Sequence, residues 1–176
     1  MMNKIATKVD GAYIFEPTIH TDNRGCFYEG GKVEKEFVQL NHSISYPKVL
    51  RGLHYQVGKS AQSKLCWVSS GIVFDVFVDL RVDSKTYGQW DSYWLTGFNK
   101  IFIPAGCAHG FLNGGTETAH FNYLVDNKYD PTSERTLLWN DTDLNIEWPI
   151  TTDLKISDKD LKGLSFKDCE KYNIDL

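Results

Sequence analysis

Arg51-Gly52-Leu53-His54-Tyr55-Gln56, followed by Lys64, sets one histidine among cations. Imidazole is the side chain whose proton comes and goes near neutral pH. A cation beside it suits a reaction that develops negative charge. On a strand, alternate residues share a face, so His54 and Gln56 point one way and Leu53 and Tyr55 the other. Arg51 either follows Leu53 or is turned toward His54 by a twist near Gly52. The plainer reading is a surface strand with solvated charges. A second group runs from Tyr123 to Glu134. A tyrosine can hand a proton to an enolate, and another can stack on a base. Tyr123 and Tyr129 would share a face if the strand continued, but Asp126-Asn127 signals a turn. Two core or rim aromatics are the alternative. A third group holds Asp141 and Asp160. Either could orient a histidine and stabilise its protonated form, and spacing does not choose between them.

Pro104-Ala105-Gly106-Cys107-Ala108-His109-Gly110-Phe111-Leu112-Asn113 resembles the second motif of cupins, whose histidine is a metal ligand in metal-binding members. The first motif would supply two more histidines and a glutamate. Here only His54 is present, with Gln56 and Lys64 in place of ligands. Two histidines and a lysine make a poor divalent site, so no metal is expected. His109 reads equally as a buried, hydrogen-bonded histidine and as a substrate contact.

The elements that must carry these residues are short strands. Ala12–Phe15, Lys64–Val68, Ile72–Leu80, Trp90–Thr96, Lys100–Ile103, Thr118–Val125 and Arg135–Trp139 are β-like runs broken by turn signals. Gly97-Phe98-Asn99 reads as the turn of a hairpin. Asp75 and Asp79 interrupt an apolar run, which implies partial cover on both faces of that strand. One helical turn is expected near Ser157–Leu161. Many short strands with regular turns indicate an all-β sandwich or barrel. The 176 residues fit a single domain over 1–176, and no segment reads as a linker.

Composition narrows the function. Net charge is −4, which argues against a general nucleic-acid binder, and aromatics reach 14%, which favours strands and stacking surfaces. No apolar run approaches the roughly 20 residues of a membrane span. Met1–Asp10 lacks the apolar core of a secretion signal. Cys26, Cys66, Cys107 and Cys169 are dispersed and read as free thiols in a reducing cytoplasm.

Taken in order, these clusters resemble the dTDP-4-dehydrorhamnose 3,5-epimerase family from about Phe15 to Gly163. The resemblance is carried by the 22–29 segment (DNRGCFYE), RGLHYQ at 51–56, Val78-Asp79-Leu80-Arg81, Pro104–Phe111 and Trp139-Asn140-Asp141. It implies an all-β, cupin-type jelly roll with a short C-terminal helical segment. It also implies a homodimer that needs neither metal nor cofactor and takes a dTDP-linked sugar. His54 becomes the general base, Asp160 its partner, Tyr123 the proton donor and Lys64 the cation on the enolate oxygen. Tyr129 matches the tyrosine that stacks on thymine. Arg24 and Arg51 would grip the pyrophosphate, bidentately as only arginine can. Glu29, Gln39, Asn41, His109, Glu134 and Lys159 occupy further positions that contact the sugar nucleotide.

The chain departs from the family pattern in places. Only nine residues, Gly30 to Val38, separate Glu29 from Gln39 where a longer stretch with a short helix is usual. Leu40 replaces a common Asp, Leu124 a common Lys and Cys107 a common Phe. The shortening lies near one wall of the nucleotide site and leaves base, sugar and dimer contact open. The alternatives are epimerisation at one carbon only, 3,4-ketoisomerisation, a silent sugar-nucleotide-binding cupin and a metal-dependent oxygenase. The tail after Gly163 has no functional reading.

Overall fold

The computed structural model describes residues 2–31 and 34–173. Lys32 and Val33 of the shortened segment, and the last three residues of the tail, lie outside the described residues. Among the described residues the regular structure is thirteen strands, one 3-10 turn (Gly58–Ser60) and one short α-helix. They are β1 (Met2–Ala6), β2 (Tyr13–Pro17), β3 (His20–Asp22), β4 (Gly25–Phe27), β5 (Gln39–Ser45), β6 (Leu50–Gln56) and β7 (Lys64–Ser70). After these come β8 (Val73–Asp79), β9 (Trp90–Leu95), β10 (Lys100–Ile103), β11 (Cys107–Leu112), β12 (Ala119–Val125), β13 (Glu134–Thr136) and α1 (Asp158–Leu161).

Two sheets form a jelly roll, one ordered β1-β2-β10-β7-β12-β5 and the other β13-β6-β11-β8-β9. They close on a core of Val68, Ile101 and Phe121 from the first and Phe77, Leu95 and Phe111 from the second. Phe111 and Phe121 stack across it with ring centres 4.1 Å apart. A second core lies on the outer face of the five-stranded sheet. There Leu53, Tyr55, Val76 and Val78 pack under Leu137, Leu144 and Trp148 of the C-terminal segment. That sheet is therefore apolar on both faces, as the β8 sequence implied. The outer cover also brings α1 against β6. Among the described residues no helix is long and apolar enough to cross a membrane.

One expectation needs correction. Gly97-Phe98-Asn99 does not close a hairpin: β9 pairs with β8, whereas β10 pairs with β2 and β7 in the other sheet. The turn is an arch between sheets, fixed by Asn99, whose Oδ1 accepts the Thr96 amide and whose Nδ2 donates to the Trp94 carbonyl. Leu95 and Ile101 both enter the core, and a hairpin and an arch leave the same trace in local sequence. The β3–β4 hairpin was not anticipated either. It is exposed on every residue and its strands pair only with each other.

Candidate active site

β6 and β11 set the centre of the site. His54 on β6 pairs directly with His109 on β11, but the register slips before Phe111 pairs with Arg51. The slip depends on two glycines. A Cβ at Gly52, whose φ is +118°, would lie 2.6 Å from Gly110 Cα, and one at Gly110 would lie 2.5 Å from the Arg51 carbonyl. The irregularity answers the question left open for Arg51: it lines the same cavity as His54, while Leu53 and Tyr55 face the outer core.

The cavity holds about 340 Å³ between the sheets, within the range of small-ligand sites. His54, Lys64, Tyr123 and Asp160 all line it, and so do Arg51, His109, Tyr129, Glu134 and Lys159. His54 Nε2 lies 2.7 Å from Asp160 Oδ1. A carboxylate only accepts, so Nε2 carries the hydrogen of this bond. Asp160 is itself held in place. Its Oδ2 accepts the Gly52 amide at 3.0 Å, and its own amide donates to Ser157, the helix N-cap. Burial works to raise the Asp160 carboxyl, but the bonds from His54, Gly52 and Ser157 outweigh it and hold the group below its ordinary value. Asp141, the other aspartate considered, is a turn cap that accepts the amides of Asp143, Leu144 and Phe166.

The opposite sheet supplies Lys64 and Tyr123. Lys64 is buried and reaches across to donate to the His54 carbonyl at 3.0 Å. Burial pushes its ammonium below the ordinary lysine value, against the pull of Cys66 and Asp75. Burial, with Cys66 and Glu134 nearby, raises the Tyr123 phenol to about 12, so it carries its proton throughout the physiological range. The His54 imidazole on one wall and the protonated Tyr123 phenol on the other line a single cavity, and Lys64 lines it too.

A second histidine–carboxylate pair lies behind the first. His109 Nε2 is 2.9 Å from Asp75 Oδ2, and both side chains are buried. Burial lowers the His109 imidazole and raises the Asp75 carboxyl. Asp75 Oδ1 has no hydrogen-bond partner among the described residues. Its role at the site was not foreseen, although an aspartate inside an apolar strand is the kind of signal that marks a buried polar function.

The rim is stitched by side chains. Tyr129 donates its hydroxyl to Glu134 at 2.8 Å, and Glu134 pairs with Lys159. Gln56, which occupies a cupin ligand position, donates to the carbonyls of Ser60 and Lys128 and accepts the Asp130 amide. It therefore clamps the loop that carries Tyr129. Gln39 accepts the Tyr129 amide and donates to Asn41, which pairs across from Tyr123. Arg24 and Glu29 do not join this group. Arg24 forms an ion pair with Asp22 on the exposed β3–β4 hairpin and lines a separate depression there. Among the described residues no three His, Cys, Asp or Glu side chains converge as a metal site. Lys155 lines the main cavity and was missed entirely, because nothing around it in sequence marks it.

A jelly roll with a histidine–aspartate pair on one wall of its cavity and a buried tyrosine on the other has the geometry of an isomerase of the proton-transferring kind. The family model described as dTDP-4-dehydrorhamnose 3,5-epimerase matches residues 6–168, and the chain belongs to that family. A curated relative of that name from Shigella flexneri is 45% identical over 184 residues, spanning 97% of this chain and 99% of its own. The crystal structure of dTDP-6-deoxy-D-glucose-3,5-epimerase from Legionella pneumophila, in complex with dTDP-4-keto-L-rhamnose, is 39% identical. It superimposes with a TM-score of 0.89 and covers 97% of this chain and 95% of its own. A 3′-monoepimerase from Streptomyces bikiniensis, in complex with dTDP-quinovose, is 30% identical with a TM-score of 0.82, covering 93% and 87%.

Proposed function

We propose that this chain epimerises a dTDP-4-keto-6-deoxyhexose at C3 and C5, giving dTDP-4-dehydrorhamnose from the gluco-configured 4-ketone. The observation that carries the reading is the facing of His54 and Tyr123 across one cavity, with Lys64 beside them. The C4 ketone acidifies the hydrogens on both neighbouring carbons. His54 Nδ1 takes one, and Asp160 stabilises the imidazolium that forms. Electron density moves to the C4 oxygen, where the Lys64 ammonium opposes the new charge. Tyr123 returns a proton to the opposite face, which inverts the centre, and solvent restores both groups. None of these steps calls for a metal or a cofactor.

Arg51 would meet the diphosphate, Tyr129 the thymine, and Glu134, Lys159 and His109 the sugar nucleotide. We assign Gln39 and Asn41 to the wall beside Tyr129. Arg24 and Glu29 complete the site only in a homodimer that carries the β3–β4 hairpin to a second copy. Supporting this, Phe27 on that hairpin is 70% exposed, and Leu40 and Ile44 on the edge strand β5 are exposed as well. The four unpaired cysteines fit a cytoplasmic setting, and the net charge of −4 gives no ground for a nucleic-acid partner. The chain acts as one domain.

Proton NMR in deuterated water tests the reading. Wild-type protein should wash deuterium into both C3 and C5 of the dTDP-4-keto sugar and invert both. Tyr123→Phe should still exchange a proton from the His54 face but lose inversion. Exchange at one carbon alone would favour the second reading, a single-carbon epimerase, which the likeness to the 3′-monoepimerase supports. A shifted ketone would mean ketoisomerisation, and no exchange at all would mean binding only.

A further inference from the structure

The cations around the cavity are not equivalent. Lys64 is buried at the floor and donates to the His54 carbonyl. Lys159 is paired with Glu134. Arg51 donates only to neutral oxygens, the Ser45 hydroxyl at 3.0 Å and the Ile44 carbonyl at 3.2 Å. Lys155 is exposed, lines the cavity and has no ion-pair partner among the described residues. Lys155 also sits beside Arg51's strand: it bridges to Val49, and its carbonyl accepts the Leu50 amide at 3.1 Å. Arg51 and Lys155 thus line the cavity as two cations from neighbouring segments, and among the described residues neither has a carboxylate within ion-pair distance. An anionic ligand would find both charges unneutralised.

The position of the acid and base decides which anion. His54, Lys64 and Tyr123 hold the reacting ring at the floor, so the group attached to C1 of that ring leads outward past the lip. We propose that Lys155 is a substrate-binding residue that, with Arg51, holds the diphosphate of the nucleotide sugar. This rests on the nucleotide-sugar reading above. Arg51 supplies a planar fork and Lys155 a mobile point charge that follows the second phosphate. Because this contact is the same in ground and transition states, it lowers KM and leaves kcat alone.

Titration calorimetry with dTDP and with thymidine tests it on wild type, Lys155→Met and Lys155→Arg. Lys155 is exposed, so the variants should keep the wild-type Tm. Lys155→Met should weaken dTDP roughly fivefold, flatten the salt dependence of that affinity and leave thymidine unchanged. Lys155→Arg should restore dTDP binding. With the 4-keto sugar nucleotide, Lys155→Met should raise KM by a similar factor at constant kcat. If wild type binds dTDP and Lys155→Met binds it equally well, the assignment of Lys155 falls and the epimerase reading stands. If wild type binds no nucleoside diphosphate, both fall.

Discussion

Two histidines stand side by side on paired strands, each bonded to an aspartate, yet the two pairs are opposites. The His54 side chain is 31% exposed to the cavity, and its partner Asp160 is held charged by the Gly52 amide and the Ser157 cap. The His109 side chain is 7% exposed, and its partner Asp75 is fully buried with one oxygen unpaired. Burial therefore drives the second pair toward neutrality on both members. Chemistry between histidine and aspartate is the same in both; the number of donors around the carboxylate and the access of the ring are not. The comparison supports the proposal that His54 transfers the proton, with His109 as a buried hydrogen-bonding group behind it.

The sharpest way to break that comparison is to remove each ring in turn. His54→Ala should lower solvent exchange of the sugar protons by about 10²–10⁴-fold, while dTDP affinity stays close to wild type. His109→Asn should cost much less in exchange and show more of its loss in KM. Deuterium exchange by NMR measures the first and steady-state kinetics the second. Equal losses of exchange in the two variants would mean that the pairs share the base function.

The asymmetry was only partly legible in the sequence. His54 stood out in a specific string, Lys64, Tyr123 and Asp160 took their roles only from the family resemblance, and the structure brings all four to one cavity. Alternation along β6 put Leu53 and Tyr55 on the outer face as expected, but it could not place Arg51. The side chain's direction depends on a register slip that two close-packed glycines allow. Asp75 was noticed as an interruption and not as a partner, because His109 lies on another strand. The 97–99 turn misled for a related reason: local spacing does not say which sheet the next strand joins. Strands β1 and β5 escaped notice because they are edge strands, where polar residues replace an apolar run. Arg24 and Glu29 could be matched to family positions, but a single copy of the chain does not carry them to the cavity.

Lys64 sharpens the comparison from the other wall. Its ammonium is lowered from 10.5 by burial, so its charge is lost at lower pH than for a free lysine. Tyr123, at about 12, keeps its proton over that interval. The alkaline limb of kcat should therefore lie below 10.5 and belong to Lys64. Activity should fall as pH rises through it, because the enolate loses its counter-charge. Lys64→Arg, which stays protonated, should move the limb upward at reduced kcat. A profile that stays flat until pH approaches 12 would transfer the limb to Tyr123 and remove Lys64 from the chemistry.

The smallest effect expected is on stability, and there the two aspartates should act with opposite sign. Asp160 has a depressed carboxyl in the folded state. Its contribution is present above the ordinary aspartate range and is lost as pH falls through the folded value. Asp75 has a raised carboxyl. Between the ordinary value of about 3.9 and its own, the folded state binds more protons than the unfolded chain, so stability rises as pH falls across that window. Asp160→Asn should lower Tm most at neutral pH, and the gap to wild type should close on acidification. For Asp75→Asn the gap should widen on acidification, because only wild type gains from protonation. Shifts on the order of a few °C are expected for a chain of this size, within reach of scanning calorimetry between pH 3 and 7. Parallel Tm curves for the two variants would mean that the carboxylates share one electrostatic environment, and the distinction between the pairs would rest on the access of the rings alone.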